Sequence, residues 1–434
     1  MDVIRSHYSN EVNESDHGKN ISLAGWIEDI RNIGSIAFII VRDRNSTFQI
    51  TVLKKNNPDI FEKLVTISRE SVISVNGLCK KSDKARNGYE IIPINVEILS
   101  IAKTPLPLGV VDKVESDLDT RLDNRFIDLR KKEIQAIFKI RNSIIHSVHN
   151  YLRSENFIEV HTPNIIASSS EGGTDVFKLK YFEKEAFLAQ SPQLYKQTLM
   201  ATGLDRVYEL AWYFRAEEHN TSRHLNESTA VDVEMAFINS EEDVMKILEN
   251  LVYKMWGKAK ENKDELKVLN KEIQLPNLPF KRITYDNAIV KLNDENVKIS
   301  WGEDLGTEEE KALGKIMKKE GHDFYFITKY PIEAKPFYTM YDNKYSRGFD
   351  LECNGVELAS GSQRIHNVEM LEKRINDCNL SLKGFDFYLK AFRYGIPPHG
   401  GFGFGIERFL MELLDIKNIR ECILFPRDRT RLVP

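Results

Sequence analysis

Cysteine and long apolar runs are scarce in this 434-residue sequence, and each scarcity excludes a class of protein. The four cysteines stand far apart without a CxxC pair, which excludes a disulfide scaffold and argues against a structural zinc site. No window reaches the roughly 18 consecutive apolar residues of a membrane span. The N-terminal segment also lacks an apolar stretch behind a basic start, so we expect no secretion signal, no membrane partner and a cytoplasmic location.

Two glycine-rich nucleotide-binding signatures are missing as well. Neither GxxxxGK(S/T) nor GxGxxG in a βαβ unit occurs, which excludes the P-loop and the doubly wound dinucleotide folds. The net charge of −4 argues against a protein that coats nucleic acid non-specifically. Any contact with nucleic acid must therefore come from local patches and shaped pockets.

The first hundred residues are rich in strand patterns. Five short runs alternate or stay apolar between turn residues, and a helix is predicted around 57–68. Five strands with one helix are typical of a small closed barrel such as the OB-fold, and an SH3-like barrel has the same strand count. We predict such a barrel over residues 1–103.

The pattern changes after the barrel. The TPLPLG segment at 104–109 breaks any strand ladder, and we predict a linker over 104–130. Apolar residues then recur at helical spacing between 131 and 156, which predicts a long amphipathic helix. Residues 131–434 form the predicted second domain.

Three stretches of the second domain carry polar residues suited to a polyphosphate ligand. Arginines at the end of the strand-like run VYELAWYF can grip phosphates, although a surface hairpin would explain them too. A glycine run before an apolar helix lets backbone approach a ligand, or simply packs a tight turn. Two acidic residues on adjacent predicted strands could hold Mg²⁺ with phosphate oxygens. In chain order these features are Arg215, Glu217, Arg223 and His224; Asp350, Glu357 and Arg364; and Gly400–Arg408.

Together these stretches resemble the motifs of the class II aminoacyl-tRNA synthetases. NFIEVHTPNI, with Pro163, is similar to their first motif, Phe214–Glu217 to the second and Gly403–Arg408 to the third. With the barrel, the resemblance is to the aspartate, asparagine and lysine subgroup, and most of all to the archaeal-type aspartyl enzymes. It implies an α+β protein: a five-stranded OB-fold barrel that binds the anticodon, and a catalytic domain of antiparallel sheet flanked by helices.

The resemblance implies a role for each motif residue in binding ATP and Mg²⁺. Arg215, Glu357 and Arg408 would be the catalytic residues, with Arg215 on the α-phosphate and Arg408 on the γ-phosphate. The metal would be held by Asp350 and Glu357, with Ser360 nearby. The remaining predicted ATP contacts are Glu217, Arg223, His224, Leu225, Gly405, Ile406 and Glu407. Ser228 stands where most relatives have an aromatic residue that stacks on adenine.

The predicted amino-acid site favours aspartate. Lys196 and Arg364 would supply two cations for the side-chain carboxylate, and a neutral asparagine would leave buried positive charge poorly compensated. Asp232 stands where the asparagine enzymes carry Glu. The other residues predicted to contact aspartate are Glu171, in a glycine-rich loop expected to close over the substrate, Gln193, Arg215 and Ser360.

The expected partners follow from the same resemblance. They are L-aspartate, ATP, tRNA-Asp and a second copy of the chain, because the first motif of the family packs across a two-fold axis. Phe38 and Gln49 match barrel positions that bind the central anticodon base. Glu28 and Arg86 match two positions that discriminate between tRNA-Asp and tRNA-Asn, yet they follow neither known pattern. Charging of tRNA-Asn therefore stays open.

Three alternatives remain beside this interpretation. An asparaginyl-tRNA synthetase is disfavoured by Lys196 and Asp232. A tRNA-independent enzyme that makes asparagine shares the catalytic core but lacks a barrel. A non-catalytic tRNA-binding paralogue would be expected to have lost Arg215, Glu357 or Arg408, and all three are present.

Overall fold

The computed structural model describes residues 4–111, 115–167, 175–218 and 221–434. The chain divides into two compact units, Met1–Asp117 and Leu118–Pro434, and the division falls inside the segment predicted as a linker. Residues 118–130 form two short helices that bond to the C-terminal segment. Arg125 Nε, for example, donates to the backbone oxygen of Leu424 at 3.0 Å. No helix in the described ranges is long and apolar enough to cross a membrane.

The first unit is the predicted five-stranded barrel. Its strands close in the order β1-β2-β3-β5-β4, and apolar side chains alternate into the interior, where Ile39, Val41, Ile50 and Ile73 are fully buried. The helix predicted at 57–68 is α1, which begins with a proline in its first turn. The bounds are β1 Asn20–Asn32, β2 Ile36–Arg42, β3 Thr47–Leu53, α1 Pro58–Thr66, β4 Val72–Lys81 and β5 Tyr89–Ser100.

The second unit contains the remaining helices and strands. Its helices are α2 Leu118–Asp123, α3 Arg125–Asp128, α4 Lys132–Ser154, α5 Gln193–Leu199, α6 Glu241–Lys260, α7 Lys263–Val268, α8 Tyr285–Asp294, α9 Thr307–Lys319, α10 Val368–Asp377, α11 Asp386–Arg393 and α12 Ile406–Leu414. Its strands are β6 Ile158–Glu159, β7 Ile165–Ile166, β8 Lys178–Tyr181, β9 Lys184–Leu188, β10 Arg206–Phe214, β11 Glu227–Ala236, β12 Lys281–Thr284, β13 Phe324–Thr328, β14 Tyr341–Asp342, β15 Tyr345–Ser346, β16 Gly348–Cys353, β17 Val356–Gln363 and β18 His399–Gly405.

An eight-stranded sheet organises the second unit. Its order is β12-β13-β16-β17-β18-β11-β10-β6, and the pairs are antiparallel except at the two edges, β12–β13 and β10–β6. Strands from three distant parts of the sequence, β11, β17 and β18, are neighbours at its centre. The predicted α+β architecture, an antiparallel sheet flanked by helices, is confirmed.

The long predicted helix is α4, and it packs against this sheet together with α6. The side chains of Ile137, Ile140, Ile144 and Val148 recur every three or four residues and are buried in the largest apolar cluster of the unit. Phe402 and Phe404 of β18 lie in the same cluster. Phe402 and Phe404 therefore anchor one face of the sheet in the core. The glycines that alternate with them lie on the opposite face, which borders the site.

Candidate active site

The central strands bring the three polar stretches together by register. Asp232 lies opposite Gly403, and Gly403 lies opposite Ser360. Because directly opposed residues share a face of a sheet, residues far apart in sequence surround one cavity of about 330 Å³. The predicted residues that line it are Gln193, Arg215, Glu217, Arg223, His224, Leu225, Asp232, Glu357, Ser360, Arg364, Gly405, Glu407 and Arg408.

Three predicted residues lie outside this lining. Lys196 is buried beneath Asp232 with its ammonium turned toward the strands. Asp350 lies beside the cavity, where Lys335 contacts it. The side chain of Ile406 is buried in the apolar core and does not line the cavity. The predicted loop residue Glu171, with Gly172 and Gly173, lies outside the described residues.

The glycines of β18 make room for acidic side chains on the neighbouring strand. A Cβ on Gly401 would lie 2.0 Å from the backbone oxygen of Val233 and 2.2 Å from Glu234 Oε2. A Cβ on Gly403 would lie 2.6 Å from the hydroxyl of Tyr213. Glycine is required at both positions because a backbone oxygen and a carboxylate beside Gly401, and a phenol beside Gly403, occupy the space of a side chain.

Two ion pairs fill the floor of the cavity. Lys196 Nζ donates to Asp232 Oδ1 at 2.8 Å and lies 3.5 Å from Glu234 Oε2. Arg364 holds Glu234 with Nε at 3.0 Å and Nη2 at 3.2 Å. Burial alone would raise the pKa of Glu234, but the charges of Arg364 and Lys196 bring that pKa below its ordinary value.

This arrangement corrects one sequence argument. The two predicted cations are not left uncompensated, because Asp232 and Glu234 balance them one for one. Surplus positive charge is therefore not a basis on which this site could select a negatively charged side chain. Glu234 was missing from the predicted set, although its position two residues after Asp232 places it on the same face of β11.

Cationic side chains line the other end of the cavity in loose pairs. Arg408 Nη1 lies 3.9 Å from Glu357 Oε2 and donates to the Glu357 backbone oxygen at 3.1 Å. Arg215 and Glu217 approach to 4.0 Å. Arg223 Nη1 lies 4.0 Å from an acid that was not predicted, Glu310 Oε2 of α9. The ion pairs of these arginines are 3.9–4.0 Å long, and a phosphate oxygen could compete with the carboxylates for the guanidinium groups.

A β-bulge places the predicted metal ligands on one face. Asp350 lies opposite Ser360, whereas Glu352 lies opposite Glu357, so Leu358 is an extra residue in β17. In a regular strand, residues three apart face opposite sides; the bulge lets Glu357 and Ser360 share a face.

The chemistry of this set fits Mg²⁺ bound together with phosphates. Asp350 Oδ1 is buried without a hydrogen-bond partner among the described residues, and Oδ2 accepts from Lys335 at 2.6 Å. Burial and then the charge of Asp350 raise the pKa of Glu357. Within the described ranges no three acidic, His or Cys side chains could hold a metal ion by themselves. Mg²⁺ commonly takes one or two carboxylates and completes its shell with substrate phosphates and water.

Comparison with known proteins decides what kind of site this is. Residues 117–429 match the model for "tRNA synthetases class II (D, K and N)", and residues 21–99 match "OB-fold nucleic acid binding domain". The chain belongs to the class II aminoacyl-tRNA synthetases. The first unit of this synthetase is thus an OB-fold barrel rather than an SH3-like one.

Relatives of the synthetase match it from end to end. The aspartate–tRNA(Asp) ligase of Pyrococcus horikoshii is 54% identical over 438 residues, covering 100% of both chains. The aspartate–tRNA(Asp/Asn) ligase of Methanocaldococcus jannaschii is 51% identical, covering 99% of this chain and 98% of the relative. Among solved structures, asparaginyl-tRNA synthetase from Pyrococcus horikoshii, complexed with asparaginyl-adenylate, superposes with a TM-score of 0.91 at 33% identity over 100% of both chains.

One carboxylate of the third motif is bonded to both α4 and β11. Glu407 Oε1 accepts from Arg141 of α4 at 2.7 Å, and Oε2 accepts from the backbone of Thr229 at 3.1 Å. The Glu407 side chain is almost fully buried. Its predicted role as an ATP contact stays a prediction, and the bonds it makes position the start of α12 and thus Arg408.

The barrel of the synthetase carries a second cavity, of about 520 Å³. Three of the four residues predicted to bind tRNA, Glu28, Gln49 and Arg86, line it, whereas the half-buried Phe38 does not. Glu28 is the extra residue of a bulge in β1, and buried Arg42 approaches its carboxylate to 3.5 Å. The bulge turns this acid into the cavity.

Proposed function

We propose that this synthetase activates L-aspartate with ATP and transfers the aspartyl group to the 3′ end of tRNA-Asp. The observation that carries the choice of aspartate is the presence of two buried cations, Lys196 and Arg364, with which the aspartate side chain could pair by displacing Asp232 or Glu234. The Pyrococcus and Methanocaldococcus relatives are named as aspartate–tRNA ligases, which supports the same choice.

The first step needs no general base. The attacking aspartate α-carboxylate is an anion at neutral pH, so positioning and charge stabilisation suffice. Arg215 would hold the α-phosphate and the attacking carboxylate, and Arg408 and Arg223 would bind the outer phosphates. Asp350, Glu357 and Ser360 would hold Mg²⁺, which when bound neutralises phosphate charge. The products are aspartyl-adenylate and pyrophosphate.

The second step needs a tRNA. We propose that the barrel cavity containing Glu28, Gln49 and Arg86 binds the anticodon, because its mixed acidic, basic and amide side chains suit the edges of unpaired bases. tRNA-Asp is the proposed partner. Whether tRNA-Asn is also charged is decided by the aminoacylation experiment below. Two relatives whose names give different tRNA ranges have almost the same sequence identity to this chain, 54% and 51%.

We also propose that the protein is a homodimer. We propose a cytoplasmic location for it, because both tRNA and ATP are present there. The first-motif segment presents exposed Ile158 and Ile165 in short strands, and Ile158 lies in the edge strand of the large sheet. Exposed apolar residues beside an open sheet edge favour burial by another chain. A second copy of this chain is the proposed occupant.

Pyrophosphate exchange tests the first step and aminoacylation tests the second. Exchange should depend on aspartate and should be absent with asparagine or lysine. Arg408→Ala should abolish it, whereas the exposed Lys417→Ala, just beyond α12, should not. Transcripts of tRNA-Asp and tRNA-Asn, each offered aspartate and ATP, then define the tRNA range. Exchange with asparagine in place of aspartate would contradict the proposal.

A further inference from the structure

Helix α9 approaches the site from a part of the chain outside all three motifs. Its backbone packs directly on the turn between β16 and β17. A Cβ on Gly314 would lie 2.4 Å from the backbone nitrogen of Gly355, and one on Gly355 would lie 2.4 Å from the backbone oxygen of Glu310. The helix is therefore held against the strands that carry the predicted metal ligands, with no side chain between them.

This contact fixes Glu310 beside the outer-phosphate end of the cavity. Its carboxylate Oε2 lies 4.0 Å from Arg223 Nη1, and the two side chains are 18% and 23% exposed. Within the described ranges, Glu310 is the one ion-pair partner that Arg223 has within 4.0 Å. Burial and the charge of Glu357 raise the pKa of Glu310 to about 7, while Arg408 and Arg223 act in the opposite direction.

Arg223 needs such a partner because of where it lies. It stands in the loop between β10 and β11, outside the regular backbone of the sheet, and its side chain is long and flexible. Ordering a flexible arginine only when a ligand arrives would cost conformational entropy at that moment. A carboxylate that holds the guanidinium over the cavity in advance removes part of that cost.

We propose that Glu310 is a positioning residue for the triphosphate: it holds Arg223 in place to bind the outer phosphates of ATP. The inference rests on the proposed function for the identity of the nucleotide, and it adds a residue that no motif contains. Glu310 contacts Arg223 rather than the reacting atoms, so its removal should weaken nucleotide binding more than it slows the reaction.

Calorimetric binding of ATP and AMP separates positioning from a structural role. Glu310→Ala should weaken ATP binding, with Mg²⁺ present, by about 3- to 10-fold, the usual cost of leaving a side chain unordered. AMP has no outer phosphates, so its affinity should stay unchanged. In aspartate-dependent exchange, KM for ATP should rise similarly and kcat should change less than twofold. Glu310→Gln, of the same shape, should show a smaller defect.

A double-mutant cycle tests the path through Arg223. If Glu310 acts only on Arg223, Glu310→Ala should add nothing in an Arg223→Ala background. Glu308→Ala, an exposed change in the same turn of α9, is the matched control and should leave both affinities unchanged.

Two results would overturn the inference: additive effects in the cycle, or AMP binding weakened as much as ATP binding. A protein that binds ATP as described but does not activate aspartate would contradict the proposed function alone. Binding and catalysis therefore report on the two proposals separately.

Discussion

Lys196 and Asp232 form an ion pair of 2.8 Å in which both side chains are at least 97% buried. Asp232 Oδ2 also accepts from the hydroxyl of Tyr213 at 2.7 Å, and the Arg364–Glu234 pair lies alongside. Two cations and two anions thus form a neutral group beneath the cavity. If the aspartate side chain binds here as proposed, its carboxylate would have to compete with Asp232 or Glu234 for these cations, and the ammonium of the amino acid could compensate the acid that is displaced.

Lys196→Met should abolish aspartate activation without creating asparagine activation. The change leaves two buried carboxylates with one buried cation, and an unpaired buried charge costs about 3–5 kcal/mol. Aspartate, which brings another carboxylate, should then be rejected. The effect is measured by pyrophosphate exchange over a series of aspartate concentrations, with the exposed Lys180→Met as control. An aspartate KM that stayed within threefold would contradict the proposed role.

Gly401→Ala should destabilise the second unit. Its Cβ would overlap the Val233 backbone oxygen and the Glu234 carboxylate, and overpacking of this kind costs about 1–3 kcal/mol or more. Gly384→Ala is the control, because nothing lies within 4 Å of the added Cβ. Urea unfolding followed by circular dichroism compares the two variants. Equal midpoints would show that the strand relaxes around the methyl group.

Arg141→Ala should lower stability and nucleotide affinity together. It leaves the buried Glu407 carboxylate without its cation, at a cost of about 3 kcal/mol or more, and loosens the start of α12 that positions Arg408. Arg153→Ala, on the exposed end of the same helix, removes a solvent-exposed pair with Glu159 and should change stability far less. Unfolding curves and the KM for ATP, measured on both variants, check the difference.

His399 should make stability fall in mild acid. Burial lowers its pKa from an ordinary 6.5 to about 4, so the folded state binds fewer protons than the unfolded state between those values. The contribution of His399 to the free energy of unfolding is fully present above pH 6.5. It is lost as the pH falls toward 4, by about 3 kcal/mol in all. Neighbouring Glu234, Arg364 and His366 influence the same ring. His399→Gln should flatten the unfolding free energy between pH 6.5 and 4, and an unchanged slope would assign the loss to other groups.

Local patterns predicted most of the fold and part of the site. Alternation along the barrel strands and the spacing of apolar residues in α4 were enough, because both depend on neighbours in sequence. Glu234 could have been found from its period-two relation to Asp232. Glu310 could not, because nothing near it in sequence marks it and only the packing of α9 brings it to Arg223. The bulge at Leu358 likewise depends on pairing with β16, which one strand alone does not reveal.

The backbone contact between Gly314 and Gly355 limits how this enzyme can be recombined with its relatives. In a chimera that imports α9 without a glycine at the contact, the added Cβ would lie 2.4 Å from the Gly355 backbone, and the helix would have to move outward to reach the ordinary contact distance of 3.4–4 Å. Every motif residue would still be present in the sequence of such a hybrid. The two glycines must therefore be inherited as a pair, and either one alone is a poor guide to whether a transplanted segment will fit.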